Sequence, residues 1–190
     1  MGKIVVTEFV SMDGVIEDPG GAENYEHGGW SLQIDRGEDG NQFKLDEAMA
    51  SDALLLGRVT YQGFADAWPS REGDFADKFN SMPKYVVSTT LGNPEWNNTT
   101  VISGDVGTKV AKLKEQFAND IAVHGSARLV NTLKDLDLVD EYRLMVFPVV
   151  LGKGKRLFTD SGDLTPFELS ESKPVGPAGV VVLTYRRAPR

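Results

Sequence analysis

Two kinds of hydrophobic pattern alternate along this chain. Short apolar runs rich in β-branched residues predict strands, at Lys3–Ser11, Ala53–Leu56, Lys84–Ser88, Thr100–Ile102, Asp120–Val123, Glu141–Val146, Phe167–Lys173 and Val180–Arg186. Apolar residues at helical spacing predict helices, at Phe43–Ala50, Arg58–Ala65, Asp74–Ser81, Gly107–Phe117 and Ser126–Leu133. This alternation is typical of βαβ units, so we predict an α/β fold of three layers, with helices on both faces of a mainly parallel sheet of about eight strands.

The end of the chain and its long loops refine this picture. Only Pro174–Gly179 separates the last two strands, which predicts a hairpin and an antiparallel C-terminal strand. Two stretches, Asp13–Asn41 and Pro148–Pro166, follow neither pattern, and long loops on a rigid sheet often carry binding residues. We find no internal repeat and no linker, so residues 1–190 are predicted to form a single domain.

Composition narrows the function classes. A formal net charge of −8 provides no electrostatic footprint for a nucleic-acid partner. The chain has no cysteine and only two histidines, so we expect neither disulfides nor a metal site. The N-terminus lacks the apolar core of a signal peptide, and no apolar run approaches the roughly 20 residues that span a bilayer. We therefore expect a cytoplasmic protein that acts on a small molecule and has no membrane partner.

The segment DALLLGRVTYQGF predicts a buried strand that ends at Gly57 and passes directly into a helix. Such a junction presents free backbone N–H groups and a partial positive charge to an anion. Gly57 allows close approach of a phosphate, Arg58 can pair with its oxygens, and Thr60 adds a hydroxyl donor. The alternative is a tight turn with a solvated arginine.

A second strand-to-helix turn occurs in DIAVHGSARLVNTL, where Gly125 and Ser126 precede a helix that begins near Ala127. Two such turns in one sheet can hold a pyrophosphate at the C-terminal ends of the strands. Ser126 is also a candidate for the N-cap of its helix. A third strand ends at Ser88 and Thr89, whose hydroxyls either bind a ribose or its 2′-phosphate, or serve as turn residues.

Taken in order along the chain, these segments resemble the dihydrofolate reductase-like superfamily. The similar segments are SMDG at residues 11–14, LLLGRVTYQGF, VVSTT, AVHGSARLVNTL and FPVVLGKGKRLF. The resemblance is to the branch that contains the C-terminal reductase domain of the bifunctional riboflavin-biosynthesis deaminase-reductase, and it covers nearly the whole chain. It implies a stand-alone NADPH-dependent reductase, because the deaminase signature of that enzyme requires cysteines that are absent here.

The resemblance implies a substrate and a set of binding residues. The substrate would be a pyrimidine ribotide, similar to 5-amino-6-(5-phosphoribosylamino)uracil, or a pterin-like molecule. The implied cofactor contacts are Gly57, Arg58 and Thr60 for the phosphates, Ser88 and Thr89 for the adenosine ribose, and Gly125, Ser126 and Ala127 for the pyrophosphate. The implied substrate contacts are Gly14, Ile16, Leu151 and Gly152.

Two carboxylates are candidates for the pocket. Asp13 falls in the loop that crosses the nicotinamide site in the family, where it would act as the catalytic proton donor or bind an aminopyrimidine edge. The alternative is an Asp-Gly turn that only shapes the loop. Asp35, in WSLQID, resembles the carboxylate with which dihydrofolate reductases contact the pterin, but two glycines soon after it disfavour a helix there.

Three further expectations follow from the same resemblance. The His124–Gly125 peptide occupies the place of a cis bond in dihydrofolate reductases, although histidine replaces the first glycine, so both the cis and the trans geometry stay open. Relatives of the riboflavin branch associate, and the strand at Glu141–Val146 is expected at a sheet edge, so a homodimer is predicted. The alternative to an enzyme is a non-catalytic nucleotide-binding or sensor module.

Overall fold

The computed structural model describes residues 1–160 and 164–188 of the chain. Its strands are β1 (Lys3–Ser11), β2 (Ser51–Gly57), β3 (Lys84–Val87), β4 (Thr99–Ile102), β5 (Asp120–Val123), β6 (Glu141–Phe147), β7 (Phe167–Val175) and β8 (Val180–Arg187). Its helices are α1 (Gly37–Ala50), α2 (Arg58–Ala67), α3 (Asp74–Ser81), α4 (Val106–Gln116) and α5 (Ala127–Asp135), with a short 3-10 helix at Trp30–Gln33.

The strands form one eight-stranded sheet in the order β4-β3-β2-β5-β1-β6-β8-β7. All neighbouring pairs from β4 to β6 are parallel, whereas β8 runs antiparallel to both β6 and β7. The prediction of an α/β fold with a mainly parallel sheet and an antiparallel C-terminal strand is confirmed.

Apolar side chains on both sides of the sheet create the three layers. On one face, Leu54, Leu56 and Val86 pack in a cluster that includes residues of α1, α2 and α3. On the other face, Ile4 and Val6 of β1 belong to a larger cluster that includes residues of α4 and α5. Alternate residues of a strand point to opposite faces, which explains why a nearly continuous apolar run serves both layers.

The structure corrects one expectation about the sheet edge. The strand predicted at Glu141–Val146 is not at an edge, because β6 pairs with β1 on one side and with β8 on the other. The edges of the sheet are β4 and β7, and most residues of β7 are exposed. An uncovered β6 therefore gives no reason for a dimer.

Helix α1 begins six residues before the predicted Phe43. Its two glycines lie at points of close approach: a Cβ on Gly37 would come within 2.6 Å of Gly176, and one on Gly40 would come within 3.3 Å of Val175. Glycine lets the first turn of the helix pack against the β7–β8 hairpin, and this tertiary contact outweighs low helix propensity.

None of the helices in residues 1–160 and 164–188 has the length and apolar character needed to cross a membrane.

Candidate functional site

The predicted cofactor turns lie side by side along the C-terminal edge of the parallel strands. Adjacent strands β3, β2, β5 and β1 end in this order along the edge. The pairing of Gly57 with Val87 places the β2–α2 turn beside Ser88, and the pairing of Leu55 with Val123 places the β5–α5 turn on its other side. The ends of β3, β2 and β5 are separated by two strand spacings, which gives a track of about 10 Å. The segments predicted to contact the cofactor thus form one continuous edge.

The β2–α2 turn leaves the start of its helix open to an anion. Gly57 is the N-cap of α2 and provides no side-chain cap to the free N–H groups of the first turn. Arg58 is exposed, and among the described residues its guanidinium donates a hydrogen bond only to Gln62, one turn along, at 3.1 Å. Since free N–H groups and the positive end of the helix dipole coincide here, the turn suits a phosphate.

The β5–α5 turn is tight and is capped by its own serine. Gly125 and Ser126 both have left-handed backbone conformations, with φ of 64° and 62°. The Ser126 hydroxyl accepts a hydrogen bond from the Leu129 amide at 3.3 Å, so it acts as the N-cap of α5. All peptide bonds in the described residues are trans. Of the two geometries left open for the His124–Gly125 bond, the structure has the trans one.

The two turns touch each other. A Cβ on Gly57 would lie 2.6 Å from the Cβ of Ser126, and a Cβ on Gly125 would lie 2.7 Å from Oγ1 of Thr60. Glycine is therefore required at both positions by direct packing. No space remains between Thr60 and Gly125 for a pyrophosphate, so such a group would lie over the joined turns.

At the end of β3, the Ser88 hydroxyl serves the turn that follows. It accepts hydrogen bonds from the amides of Thr90 and Leu91, at 3.1 and 2.9 Å. Thr89 is exposed beside it. Of the two hydroxyls assigned to the adenosine ribose, that of Ser88 is used as in a turn, while Thr89 stays available to a ligand.

A buried glutamate also lies at this edge, and the sequence patterns did not predict it as a site residue. Glu8 lies in β1 with 7% of its surface exposed, and its Oε1 accepts a hydrogen bond from the Gly125 amide at 2.6 Å. Burial raises the pKa of the Glu8 carboxyl to about 8, against the opposing effects of the Gly125 hydrogen bond and the Lys44 charge. The available signal was an acid in the middle of the predicted strand KIVVTEFVS.

A lysine and a histidine lie in this part of the molecule, on the side of the sheet that α1, α2 and α3 cover. Lys44 is buried on α1, where its ammonium donates to Thr7 Oγ1 and to Glu47 Oε2, both at 2.6 Å. His124 packs against aromatic rings of α2 and α3. Burial lowers the pKa of His124 well below its usual range, so its imidazole is neutral at pH 7.

Asp13 joins the two long loops. Its carboxylate accepts hydrogen bonds from the Ser11 hydroxyl at 2.6 Å and from the amides of Leu151 and Gly152 at 3.1 and 2.8 Å. These contacts, the Ser11 bond above all, lower the pKa of the Asp13 carboxyl to about 2. A carboxylate held in this way is ionised at pH 7, which fits the shaping of the loop better than proton donation.

Backbone contacts continue the junction of these loops. The Ile16 amide donates to the Lys155 carbonyl at 2.9 Å, and Val15 forms an isolated antiparallel bridge with Arg156. The four predicted substrate residues thus belong to one junction, in which Ile16 is buried in the main core. No sequence pattern predicted the bridge.

Beside this junction lies a cavity of about 310 Å³. Its walls are Val10, Leu144, Val146, Leu157 and Phe158, together with Arg156 and the loop Ser11–Gly14. Of the predicted substrate residues, Gly14 lines this cavity, while Ile16, Leu151 and Gly152 do not. The cavity is mostly apolar with a few polar groups, as is common for small-molecule sites.

Asp35 is not placed to contact a ligand in this cavity. It is exposed just before α1, and its carboxylate accepts a hydrogen bond from the Gly37 amide at 2.8 Å. Residues 1–160 and 164–188 also contain no group of three or more His, Asp or Glu side chains that could hold a metal ion.

Comparison with known sequences identifies the family of this chain. The sequence model of the RibD C-terminal domain matches residues 2–181. The chain belongs to the RibD C-terminal domain family. The chain is 30% identical over 188 residues to YyaP of Bacillus subtilis, an uncharacterized protein, covering 96% of this chain and 94% of YyaP. YwjB of the same organism, also uncharacterized, is 30% identical over 186 residues and 98% of each chain.

Solved structures with this fold include RibD-like and dihydrofolate reductase proteins. A protein named for riboflavin biosynthesis from Shewanella sp. PV-4 has a TM-score of 0.79 at 22% identity, covering 98% of this chain and 99% of its own. Dihydrofolate reductase from Enterococcus faecalis, in complex with NADP(H), has a TM-score of 0.61 at 14% identity, over 97% and 96% of the two chains. The deaminase/5-amino-6-(5-phosphoribosylamino)uracil reductase from Thermotoga maritima has a TM-score of 0.66 at 13% identity, and 98% of this chain covers 57% of that one. These likenesses confirm the dihydrofolate reductase-like fold.

Proposed function

We propose that this protein is an NADPH-dependent reductase of a pyrimidine ribotide, similar to 5-amino-6-(5-phosphoribosylamino)uracil, or of a pterin-like molecule. The observation that carries the proposal is the joined pair of turns at the start of α2 and α5, at the C-terminal edge of the parallel strands. Membership of the RibD C-terminal domain family supports the reductase class. The name of the Thermotoga maritima neighbour supports the pyrimidine ribotide.

The chain's own residues fit an anionic dinucleotide. The uncapped first turn of α2 and the exposed guanidinium of Arg58 would hold phosphates, and the amides of the Ser126 turn would hold the pyrophosphate. Thr89, exposed at the end of the neighbouring strand, would contact the adenosine ribose. NADPH, when bound, supplies the hydride, while the protein supplies binding and orientation.

The cavity beside the loop junction suits the ring of a small heteroaromatic substrate. Its aliphatic walls exclude water from a flat ring, and Arg156 provides a half-exposed cation for an anionic substituent such as a ribotide phosphate. Asp13 would act indirectly, since it fixes the loop that carries Leu151 and Gly152.

The test follows the absorbance of NADPH in the presence of 5-amino-6-(5-phosphoribosylamino)uracil or dihydrofolate. Oxidation that depends on one of these substrates is expected, and it should be lost in Gly125→Ala, which forces a Cβ to within 2.7 Å of Thr60 Oγ1. Gly63→Ala is the matched control, because a Cβ at Gly63 meets nothing within 4 Å. Binding of NADPH without oxidation by any pyrimidine or pterin would instead favour the sensor module.

A further inference from the structure

Two acceptors compete for the amide of Gly125. It is among the N–H groups expected to receive the pyrophosphate of the dinucleotide, yet it donates to Glu8 Oε1 at 2.6 Å. A backbone N–H makes one strong hydrogen bond, so the state of the Glu8 carboxyl affects what the turn can bind. Glu8 is therefore part of the turn although it is far from it in sequence.

The position of Glu8 favours an uncharged carboxyl. Val6 and Val10, its neighbours on the same face of β1, are buried in the main core, and Leu144 lies directly opposite on β6. With 7% of its surface exposed, the side chain has little access to water. Transfer of a carboxylate into such surroundings is costly unless a cation pairs with it.

The charged groups on the surrounding elements do not provide that partner. Lys44 of α1 is bonded to Thr7 and Glu47 and acts on Glu8 only at longer range. His124 at the end of β5 is neutral, and Arg58 of α2 is exposed. On β6, Arg143 pairs with carboxylates of other residues. Arg128 of α5 is exposed, and Arg156, which lines the cavity together with Val10 and Leu144, pairs with Asp13. Within the described part of the chain, Glu8 forms no ion pair.

We propose that Glu8 is a positioning residue of the Gly125 turn, and that the turn accepts the diphosphate of a dinucleotide only while the Glu8 carboxyl carries its proton. The inference rests on the proposed function, since it assumes that the turn binds such a cofactor. The carbonyl oxygen of a neutral carboxyl accepts the Gly125 N–H and orients the turn, so the amides of Ser126 and Ala127 are the ones that would receive the phosphates. A carboxylate at the same place would put a buried negative charge beneath the phosphates.

Binding of the dinucleotide is then linked to uptake of a proton. The apparent Kd is constant at low pH and rises by up to tenfold for each pH unit once the free protein has lost the Glu8 proton, above about pH 8. Glutamine at this position would imitate the neutral acid, because its amide oxygen can accept the same bond and it does not titrate.

The test is the Kd of NADPH, measured by fluorescence from about pH 6.5 to about pH 9.5. Wild type should lose roughly tenfold or more of its affinity over this range, while Glu8→Gln should lose little. Glu115→Gln removes the same charge from an exposed position on α4 and should behave as wild type. An identical pH dependence in wild type and Glu8→Gln would overturn the inference.

A second measurement needs no variant, in case Glu8→Gln does not fold. Calorimetry of NADPH binding to the wild type at about pH 9, in buffers of different ionisation enthalpy, should show uptake approaching one proton. Binding without proton uptake contradicts the role of Glu8 and leaves the proposed function standing. Failure of the wild type to bind NADPH at any pH overturns the proposed function and this inference together.

Discussion

At the residue scale, Arg58 is an exposed cation at the phosphate edge. It occupies the first position of α2, where its guanidinium donates a hydrogen bond to Gln62. If the guanidinium meets the 2′-phosphate, Arg58→Ala should weaken NADPH binding more than NADH binding. A charge-assisted contact contributes on the order of 1.5–3 kcal/mol, so the loss for NADPH should be about tenfold or more. Titrations of both cofactors check this, and an equal loss would assign Arg58 to the pyrophosphate or to the fold.

Asp13 allows a prediction with a defined pH dependence. Because the pKa of its carboxyl falls from 3.8 to about 2 in the folded state, its contribution to stability is complete above about pH 4 and is lost as the pH falls towards 2. Asp13→Asn should lower the free energy of unfolding at pH 7 by on the order of 1 kcal/mol, a value reduced for partial exposure. Denaturant titrations at several pH values measure this difference.

The control for Asp13 is Asp66→Asn, at an exposed position of α2. This variant should have the same free energy of unfolding as wild type at pH 7 and at low pH. A stability difference between Asp13→Asn and wild type that persists below pH 2.5, at about its neutral value, would show that the loss comes from packing and not from the carboxylate charge.

Site residues that follow strand ends could be predicted from the sequence, whereas the one inside a strand could not. Gly57, Arg58 and Gly125 are visible because strand-to-helix turns leave a local pattern. Glu8 acquires its role only through a partner 117 residues away, and Asp13 through partners 138 and 139 residues away. Contacts of such separation depend on the strand order, which a local pattern does not contain.

At the scale of elements, the contact between the two turns holds the starts of α2 and α5 together. Gly57→Ala should destabilise the fold by about 1–3 kcal/mol, because the new methyl group would overlap the Ser126 side chain. The variant Ser126→Gly removes that side chain and suits the left-handed φ of 62°, although it loses the helix cap. In the double variant the overlap is gone, so much of the stability should return.

Thermal or denaturant unfolding of the four proteins in this cycle measures the coupling between the turns. Additive effects of the two substitutions would contradict direct contact. NADPH titrations of the same proteins report whether the spacing of the two helix starts also sets cofactor affinity.

Each predicted strand begins and ends within two residues of the observed strand, because buried parallel strands give dense apolar runs. Helix α1 was predicted six residues short, because Gly37 and Gly40 are poor helix formers by themselves. Glycine is needed at these two positions because the β7–β8 hairpin packs closely against the start of the helix. Local propensity cannot include a contact that forms only in the folded molecule.

At the scale of the whole molecule, the homodimer remains a prediction, and of its two reasons only the resemblance to relatives that associate is left. β6 is covered on both sides, and the exposed sheet edges are β4 and β7. Sedimentation at micromolar concentration should show a dimer. If the β7 edge is the interface, Leu169→Lys, at an exposed position of that edge, should dissociate the dimer. A monomer in the wild type would reject the dimer.

One edge of the sheet is proposed to bind a dinucleotide across the starts of α2 and α5. A titration of ¹⁵N-labelled protein with NADPH, followed by amide chemical shifts, measures this binding residue by residue. The largest shifts should fall on the amides of residues 58–60, 88–89 and 125–127, with saturation at a single Kd. Saturable shifts centred on another part of the chain, or no shifts at millimolar NADPH, would contradict it.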